Sequence, residues 1–285
     1  MTLKQPFAAK IYAGQSLVDG ELHAIGPGLA VVFTARCTDE AEKERINEDA
    51  CALLPIDQKS GLLIVADGAG GLPKGEEAAA ISIRAVQSSV VKNRRAGGDL
   101  RGAVLDGIDQ ANRRVLGLKI GAASTLAIVE ISGHTIRPYH VGDSQIMVIG
   151  QRGKVKHLTK AHSPVGYAIE AGLLQTDEAM HHEDRHLVSN LVGAADMHIE
   201  VGPSIDLTPH DTVIIASDGL FDNAHQDEIV EACRKGPLLG VARKLATLCR
   251  ERMATTDAEQ PSKPDDLTFI VYRERVSSED EADAL

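Results

Sequence analysis

Short apolar runs recur along the chain and indicate β-strands. They are rich in valine and isoleucine, and glycine, aspartate or proline commonly bounds them, as is typical of buried strands. Tight turns such as residues 132–134 connect neighbouring runs, which predicts antiparallel pairing. The predicted strands are residues 29–33, 62–66, 125–131, 135–141, 145–149, 212–216 and 267–272.

Three segments have the three- and four-residue spacing of an amphipathic helix. One begins at Gly75, a second follows Gly98, and a third carries Leu238, Val241 and Leu245 on one face. Strands come first, a helix pair follows, and more strands precede the last helix. This order predicts an α+β fold in which two sheets pack face to face with helices outside.

The remaining segments lack a regular pattern. We expect residues 160–201 to form a mobile surface insertion and the acidic residues 275–285 to be a disordered tail. We interpret residues 1–274 as a single domain. The amino terminus lacks the apolar core of a signal peptide, and no run reaches membrane length.

Composition and charge exclude several classes of partner. The 285 residues carry a formal net charge of -11, and no strongly basic stretch provides a footprint for nucleic acid. An acidic surface repels anionic lipid, so we expect no membrane partner either. The four cysteines, Cys37, Cys51, Cys233 and Cys249, lack C-x-x-C spacing. We therefore expect reduced, mostly buried cysteines and a cytoplasmic location.

Acidic motifs lie next to the predicted strands. A carboxylate at the end of a buried strand is held rigidly, and several that converge would repel one another unless a cation neutralised them. Oxygen ligands favour Mg²⁺ or Mn²⁺ over zinc. A single Asp-Gly is more often a turn, so the hypothesis depends on the whole set. Its members are Asn47-Glu48-Asp49, Asp67-Gly68, Gly142-Asp143-Ser144, Ser217-Asp218-Gly219 with Asp222, and Asp265-Asp266.

These motifs belong to a longer series that resembles a known family. The series is NEDA (47–50), VADGAGG (65–71), GAASTLAIV (121–129), HVGDSQ (140–145), LTKAHS (158–163), IASDGLFD (215–222) and PDDLTFIV (264–271). In content and order it resembles the type 2C metal-dependent serine/threonine protein phosphatases, or PPM family, in a bacterial-like form. The resemblance extends from about residue 45 to residue 271.

The resemblance implies a four-layer αββα sandwich of two antiparallel sheets flanked by helix pairs. It also implies roles for the motif residues. Asp67 would bridge two metals, Asp218 and Asp265 would complete the first, Glu48 and the carbonyl of Gly68 would complete the second, Asp49 would orient bound water, and Asp143 and Asp222 match a third metal site.

The implied activity is hydrolysis of phosphoserine and phosphothreonine in proteins. Two ions of Mn²⁺ or Mg²⁺ would activate a water for direct attack on phosphorus, with no covalent phospho-enzyme. The implied partner is a phosphorylated protein, either a serine/threonine kinase or one of its targets.

Three positions depart from the family pattern. Ala69 stands where eukaryotic members carry a histidine that is proposed to protonate the leaving group, so we expect slower turnover of poor leaving groups. Glu44 stands where an arginine usually contacts phosphate, and Arg45 follows one step later. We keep two interpretations of Arg45, a phosphate contact and a solvated charge. Gln145 replaces an arginine that we interpret as structural.

Two other functions stay open on the sequence. Ala69 and the displaced Arg45 would suit a catalytically weak relative that acts as a regulatory or binding module, although the intact aspartates argue against it. Separately, His182 and His186 fit the H-E-x-x-H pattern of a zinc hydrolase. The polar residues around this pattern favour a solvated loop with incidental histidines.

Overall fold

The computed structural model describes residues 8–37, 46–255 and 260–275. Their strands are β1 Lys10–Ala13, β2 Leu17–Ile25, β3 Gly28–Ala35, β4 Ala50–Pro55, β5 Ser60–Ala66, β6 Leu126–Ser132, β7 Thr135–Val141, β8 Gln145–Ile149, β9 Val155–Leu158, β10 Glu200–Val201, β11 Ile205–Asp206, β12 Thr212–Ala216 and β13 Leu267–Glu274. Their helices are α1 Gly75–Arg95, α2 Leu100–Leu116, α3 Pro164–Glu170, α4 Thr176–Ala179, α5 Asp218–Phe221, α6 Gln226–Cys233 and α7 Leu238–Met253.

The strands form two antiparallel sheets. The first has the order β1-β4-β5-β6-β7-β10, with β11 also paired to β7, and the second has the order β2-β3-β13-β12-β8-β9. The turn between β6 and β7 pairs Ser132 with Thr135, as the short connection predicts. The antiparallel pairing expected from the sequence is confirmed.

Each sheet has two apolar faces, because its central strands are buried on both sides. One face packs against the other sheet, and the opposite face packs against helices. In β4, Ala52 and Leu54 pack with α1 and α2, whereas Cys51 and Leu53 pack between the two sheets. On the other side, α6 and α7 cover the outer face of the second sheet. Successive strand residues point to opposite faces, so this pattern produces four layers. The predicted αββα sandwich is confirmed.

The predicted segments lie at the correct places, but other elements were missed, among them the buried strand β4. All seven predicted strands and all three predicted helices are present. The missed β2 has exposed and half-buried positions along most of its length, and β10 and β11 have two residues each. Residues 160–201 contain α3, α4, β10 and a 3₁₀ turn, Glu183–His186.

The remaining predictions concern the cysteines, membrane spans, the carboxyl-terminal tail and the number of domains. All four cysteines are buried, as predicted. Among the described residues, no helix combines the length and the apolar character that a membrane span needs. Residues 276–285 of the proposed tail lie outside the described ranges. The single-domain interpretation of residues 1–274 stays a prediction.

Candidate metal centre

The loops that carry the acidic motifs meet at one edge of the sandwich. In the first sheet, Ala50 at the start of β4 pairs with Ala66 at the end of β5. In the second, Ala216 at the end of β12 pairs with Gln145 at the start of β8. Residues 142–144 join β7 to β8 and so connect the two sheets at this edge. The registers therefore bring together residues that are far apart in sequence.

Glu48 and Gly68 lie together, as the metal hypothesis requires. The Gly68 N–H donates to the carbonyl of Glu48 at 3.2 Å. A Cβ placed on Gly68 would lie 2.3 Å from the carbonyl carbon of Gly75, and one placed on Gly75 would lie 3.1 Å from Oε1 of Glu48. This close approach of two backbones requires glycine at Gly68 and places the Glu48 carboxylate beside the junction.

Asp266 positions Glu48, a role that the sequence analysis did not identify. Its Oδ1 accepts from the N–H of Cys37 and its Oδ2 accepts from the N–H of Glu48, both at 2.7 Å. The N–H of Asp266 in turn donates to Oδ1 of Asp265 at 2.9 Å. The acidic pair thus links two of the predicted metal ligands. Its position directly before β13 was the available signal.

Asp49 is connected to the motif that contains Asp218. It is 2% exposed, and its Oδ2 accepts from the hydroxyl of Ser217 at 2.9 Å. Asn47 accepts the Asp49 N–H at 3.0 Å. Burial, and then the charges of Asp266 and Asp265, raise the pKa of Asp49 well above its usual range. The ionised form of Asp49 is therefore destabilised both by burial and by electrostatic repulsion from the neighbouring carboxylates.

Asp67 lies at the centre of this set electrostatically. Thr125 holds its backbone, because the Asp67 N–H donates to Oγ1 of Thr125 at 3.0 Å and the Thr125 N–H donates to the Asp67 carbonyl at 2.8 Å. Burial raises the pKa of Asp67 well above its usual range, and the charges of Asp49, Asp218, Asp265 and Asp143 raise it further. The distant acids named by the sequence therefore converge here.

The neighbouring acids show the same crowding. Burial, followed by the charge of Asp218, raises the pKa of Asp143 to about 8, that of Asp265 to about 7 and that of Asp222 to about 6. In addition, Oδ1 of Asp218 is buried with no hydrogen-bond partner among the described residues. An unpaired buried carboxylate oxygen is unfavourable without a cation. The residues assigned to the metal pair therefore fit divalent ions.

One cationic side chain of the protein lies among these acids. Nζ of Lys263 contacts Oδ2 of Asp218, and it lies 2.9 Å from Oδ2 of Asp222 and 3.4 Å from Oδ2 of Asp265. The sequence gives no signal for Lys263, because no periodic element or motif contains it.

The family of the chain follows from its sequence comparison. A family model described as protein phosphatase 2C matches residues 38–261. The chain belongs to the protein phosphatase 2C family. The resemblance carried by the motif series is confirmed.

Individual relatives of the chain are also described as phosphatases. A putative protein phosphatase 2C-type from Streptococcus pyogenes is 29% identical over 202 residues, which cover 68% of this chain and 80% of that protein. The solved PPM Ser-Thr phosphatase MsPP from Mycobacterium smegmatis, in complex with cacodylate, has a TM-score of 0.70 at 27% identity and covers 86% of this chain and 98% of that one.

A third solved structure is similar in fold. The catalytic domain of the serine threonine protein phosphatase PstP, in complex with two manganese ions, has a TM-score of 0.67 at 21% identity and covers 86% of this chain and 96% of that one.

A histidine cluster supports the Asp143 loop of the phosphatase. Ligand atoms of His140, His162 and Glu200 lie within 4.8 Å of one another. However, Nδ1 of His162 accepts from the Gly142 N–H at 3.1 Å and from Nδ2 of Asn190 at 2.8 Å, so its Nε2 carries the proton and donates to Glu200. His140 Nε2 lies 2.8 Å from the Lys160 carbonyl. Hydrogen bonds within the protein thus explain this cluster.

The H-E-x-x-H pattern does not form the α-helix of a zinc hydrolase. Its residues Glu183–His186 form a 3₁₀ turn, and Nδ1 of His182 accepts from the Asp184 N–H at 3.1 Å. In the described ranges, neither His182 nor His186 joins a group of three possible metal ligands. Arg185 instead donates to the carbonyl of Ser262 at 2.8 Å. This geometry does not support the zinc alternative.

The three departures from the family pattern have different outcomes. Arg45 lies outside the described residues. The N–H of Ala69 donates to the carbonyl of Ala123 at 3.0 Å, and its methyl group offers no proton donor. Gln145 donates from Nε2 to the carbonyl of Thr159 at 2.8 Å, which is a structural contact.

Proposed function

We propose that this phosphatase hydrolyses phosphoserine and phosphothreonine in proteins and uses Mn²⁺ or Mg²⁺ held by the converging carboxylates. The observation that carries the proposal is the meeting of Asp67, Asp218 and Asp265 at one edge of the sandwich, with a buried oxygen of Asp218 lacking a partner in the described part of the chain. The manganese pair of the PstP catalytic domain supports the choice of metal.

The carboxylates divide into two ligand sets that share one residue. Asp67, Asp218 and Asp265 would hold one cation, and Asp67, Glu48 and the Gly68 carbonyl would hold the other. When bound, two divalent cations supply an activated water and offset negative charge on the phosphoryl oxygens. Asp49 is held by Ser217 beside these groups, where its carboxylate can accept a hydrogen bond from water.

A cysteine nucleophile does not suit this protein. Burial raises the pKa of Cys51 far above its usual range and raises those of Cys233 and Cys249 to about 12. These thiols therefore stay protonated and unreactive at neutral pH. Because these thiols are protonated, direct attack of water on phosphorus is favoured over attack by a cysteine thiolate.

We assign the substrate and the location by their chemistry. A serine/threonine kinase or one of its targets would supply the phosphorylated side chain, and the reduced cysteines favour a cytoplasmic location. The net charge of -11 disfavours nucleic acid and anionic membranes as partners.

A metal-addition assay tests the proposed function. Chelated protein is incubated with p-nitrophenyl phosphate and with a phosphothreonine peptide, and Mn²⁺, Mg²⁺ or Zn²⁺ is added in turn. We expect turnover that requires Mn²⁺ or Mg²⁺, because the ligands are oxygens. His182→Ala should keep this turnover. Loss in His182→Ala together with activation by Zn²⁺ would favour a zinc hydrolase, and no turnover with any metal would favour a regulatory module.

A further inference from the structure

Lys263 brings a fixed positive charge into the acidic cluster. Its side chain is 18% exposed and contacts one carboxylate oxygen each of Asp218, Asp222 and Asp265. Asp143 lines one cavity with Asp218 and Asp222, and the charge of Lys263 opposes the rise in the pKa of Asp143. An ammonium group that is largely shielded from water needs carboxylate partners, and here these partners include Asp222, one of the two acids that the resemblance assigns to a third metal.

The fold fixes the position of Lys263 through its backbone. The Lys263 N–H donates to Oδ1 of Asn223 at 2.8 Å, and Nδ2 of Asn223 donates back to the Lys263 carbonyl at 2.9 Å. Asn223 is fully buried. On the preceding residue, the Ser262 carbonyl accepts from Arg185. The ammonium group is therefore delivered by a braced segment, which limits the entropy lost when it binds the acids.

The two carboxylate oxygens of Asp218 have different surroundings. Oδ2 contacts Lys263, whereas Oδ1 is buried and has no hydrogen-bond partner within the described residues. Oδ1 is thus the atom left for the metal pair. Asp222 is assigned to the third metal site alone. Its Oδ2 lies 2.9 Å from the ammonium nitrogen, an ion pair without the geometry of a hydrogen bond. A divalent ion entering between Asp218 and Asp222 would meet this positive charge and be repelled.

We propose that the ammonium group of Lys263 takes the place of a third metal between Asp143, Asp218 and Asp222, so that this phosphatase binds two divalent cations per chain. Lys263 lies closer to Asp222, at 2.9 Å, than to Asp265, at 3.4 Å, so its charge opposes a metal at the third site more strongly. The first site keeps Oδ1 of Asp218, which has no hydrogen-bond partner among the described residues. The inference rests on the proposed function, because it presumes that pair.

Counting bound Mn²⁺ tests the inference directly. Chelated protein is titrated with Mn²⁺ alone by equilibrium dialysis and by isothermal titration calorimetry. We expect two Mn²⁺ per chain in the wild type and three in Lys263→Ala, because removal of the ammonium group exposes the third set. Lys263→Ala/Asp222→Asn should return to two. Lys263→Arg, which keeps a positive charge, should also bind two.

The matched control is Lys156→Ala. Lys156 contacts Asp211 next to the start of β12, at the opposite end of that strand from Asp218, so its removal should leave the count at two. Three Mn²⁺ in the wild type would overturn the inference even if every variant failed to fold, and so would two in a folded Lys263→Ala protein. A wild type that binds no Mn²⁺ would instead contradict the proposed function itself.

Discussion

Asp67→Asn is expected to lower kcat/KM for a phosphothreonine peptide by at least roughly a thousandfold, which corresponds to about 4 kcal/mol. Asp67 is the carboxylate on which the charges of Asp49, Asp143, Asp218 and Asp265 converge, and it belongs to both proposed ligand sets. An amide keeps the shape of the side chain but removes the negative charge that would bind two cations. Saturating Mn²⁺ should therefore restore little of the lost turnover. Steady-state kinetics over a range of Mn²⁺ concentrations measure this effect.

Asp206→Asn provides the matched control for charge and chemistry. Asp206 is an exposed aspartate in β11 and pairs with Thr135, at the end of β7 away from Val141 and the metal centre. Its replacement should leave kcat/KM within about twofold, as is usual for surface substitutions. If a folded Asp67→Asn protein kept more than a tenth of wild-type turnover, Asp67 would not be the shared ligand.

Asp143→Asn is expected to stabilise the metal-free protein by about 5 kcal/mol at pH 8. Burial and the charges of Asp218 and Asp222 raise the pKa of Asp143 to about 8. Between pH 4 and pH 8 the folded protein therefore holds a proton that the unfolded chain has released. The contribution of Asp143 to the free energy of unfolding consequently falls as the pH rises through this range. Asparagine does not titrate, so the variant escapes this loss.

Urea unfolding in the presence of a chelator measures the difference at pH 5 and pH 8. The variant should gain stability over the wild type as the pH rises. His140 acts in the opposite direction, because burial and the charge of His162 lower its pKa to about 4, and its contribution falls as the pH drops from about 6.5. This effect is common to both proteins and cancels in their difference. A difference that shrinks toward pH 8 would contradict the account.

Most buried strands, though not β4, and the acids at the strand ends could be predicted because both depend on local sequence. The five residues of β12 are all buried, and a continuous apolar run is the signal that such a strand leaves. Asp218 follows this run directly, so the strand fixes where its side chain emerges. Asp67 follows β5 in the same way. Register then brings these acids together without any further signal in the sequence.

The supporting contacts could not be predicted because they depend on where distant backbones meet. Asp266 accepts N–H groups from Cys37 and Glu48, which are more than two hundred residues away. Lys263 lies in a segment without periodicity, and only the folded chain shows that Asn223 and Arg185 brace it. Conversely, His182 and His186 matched a local zinc-binding pattern, but the 3₁₀ turn that contains His186 does not bring them together as metal ligands. Local patterns therefore predicted the clustered acids better than the residues that support them.

Anomalous diffraction at the manganese edge, from crystals grown with Mn²⁺, tests the central claim most directly. We expect two peaks, one bounded by Asp67, Asp218 and Asp265 and the other by Asp67, Glu48 and the Gly68 carbonyl. Manganese found only at His140, His162 and Glu200, with none beside Asp67, would contradict that claim.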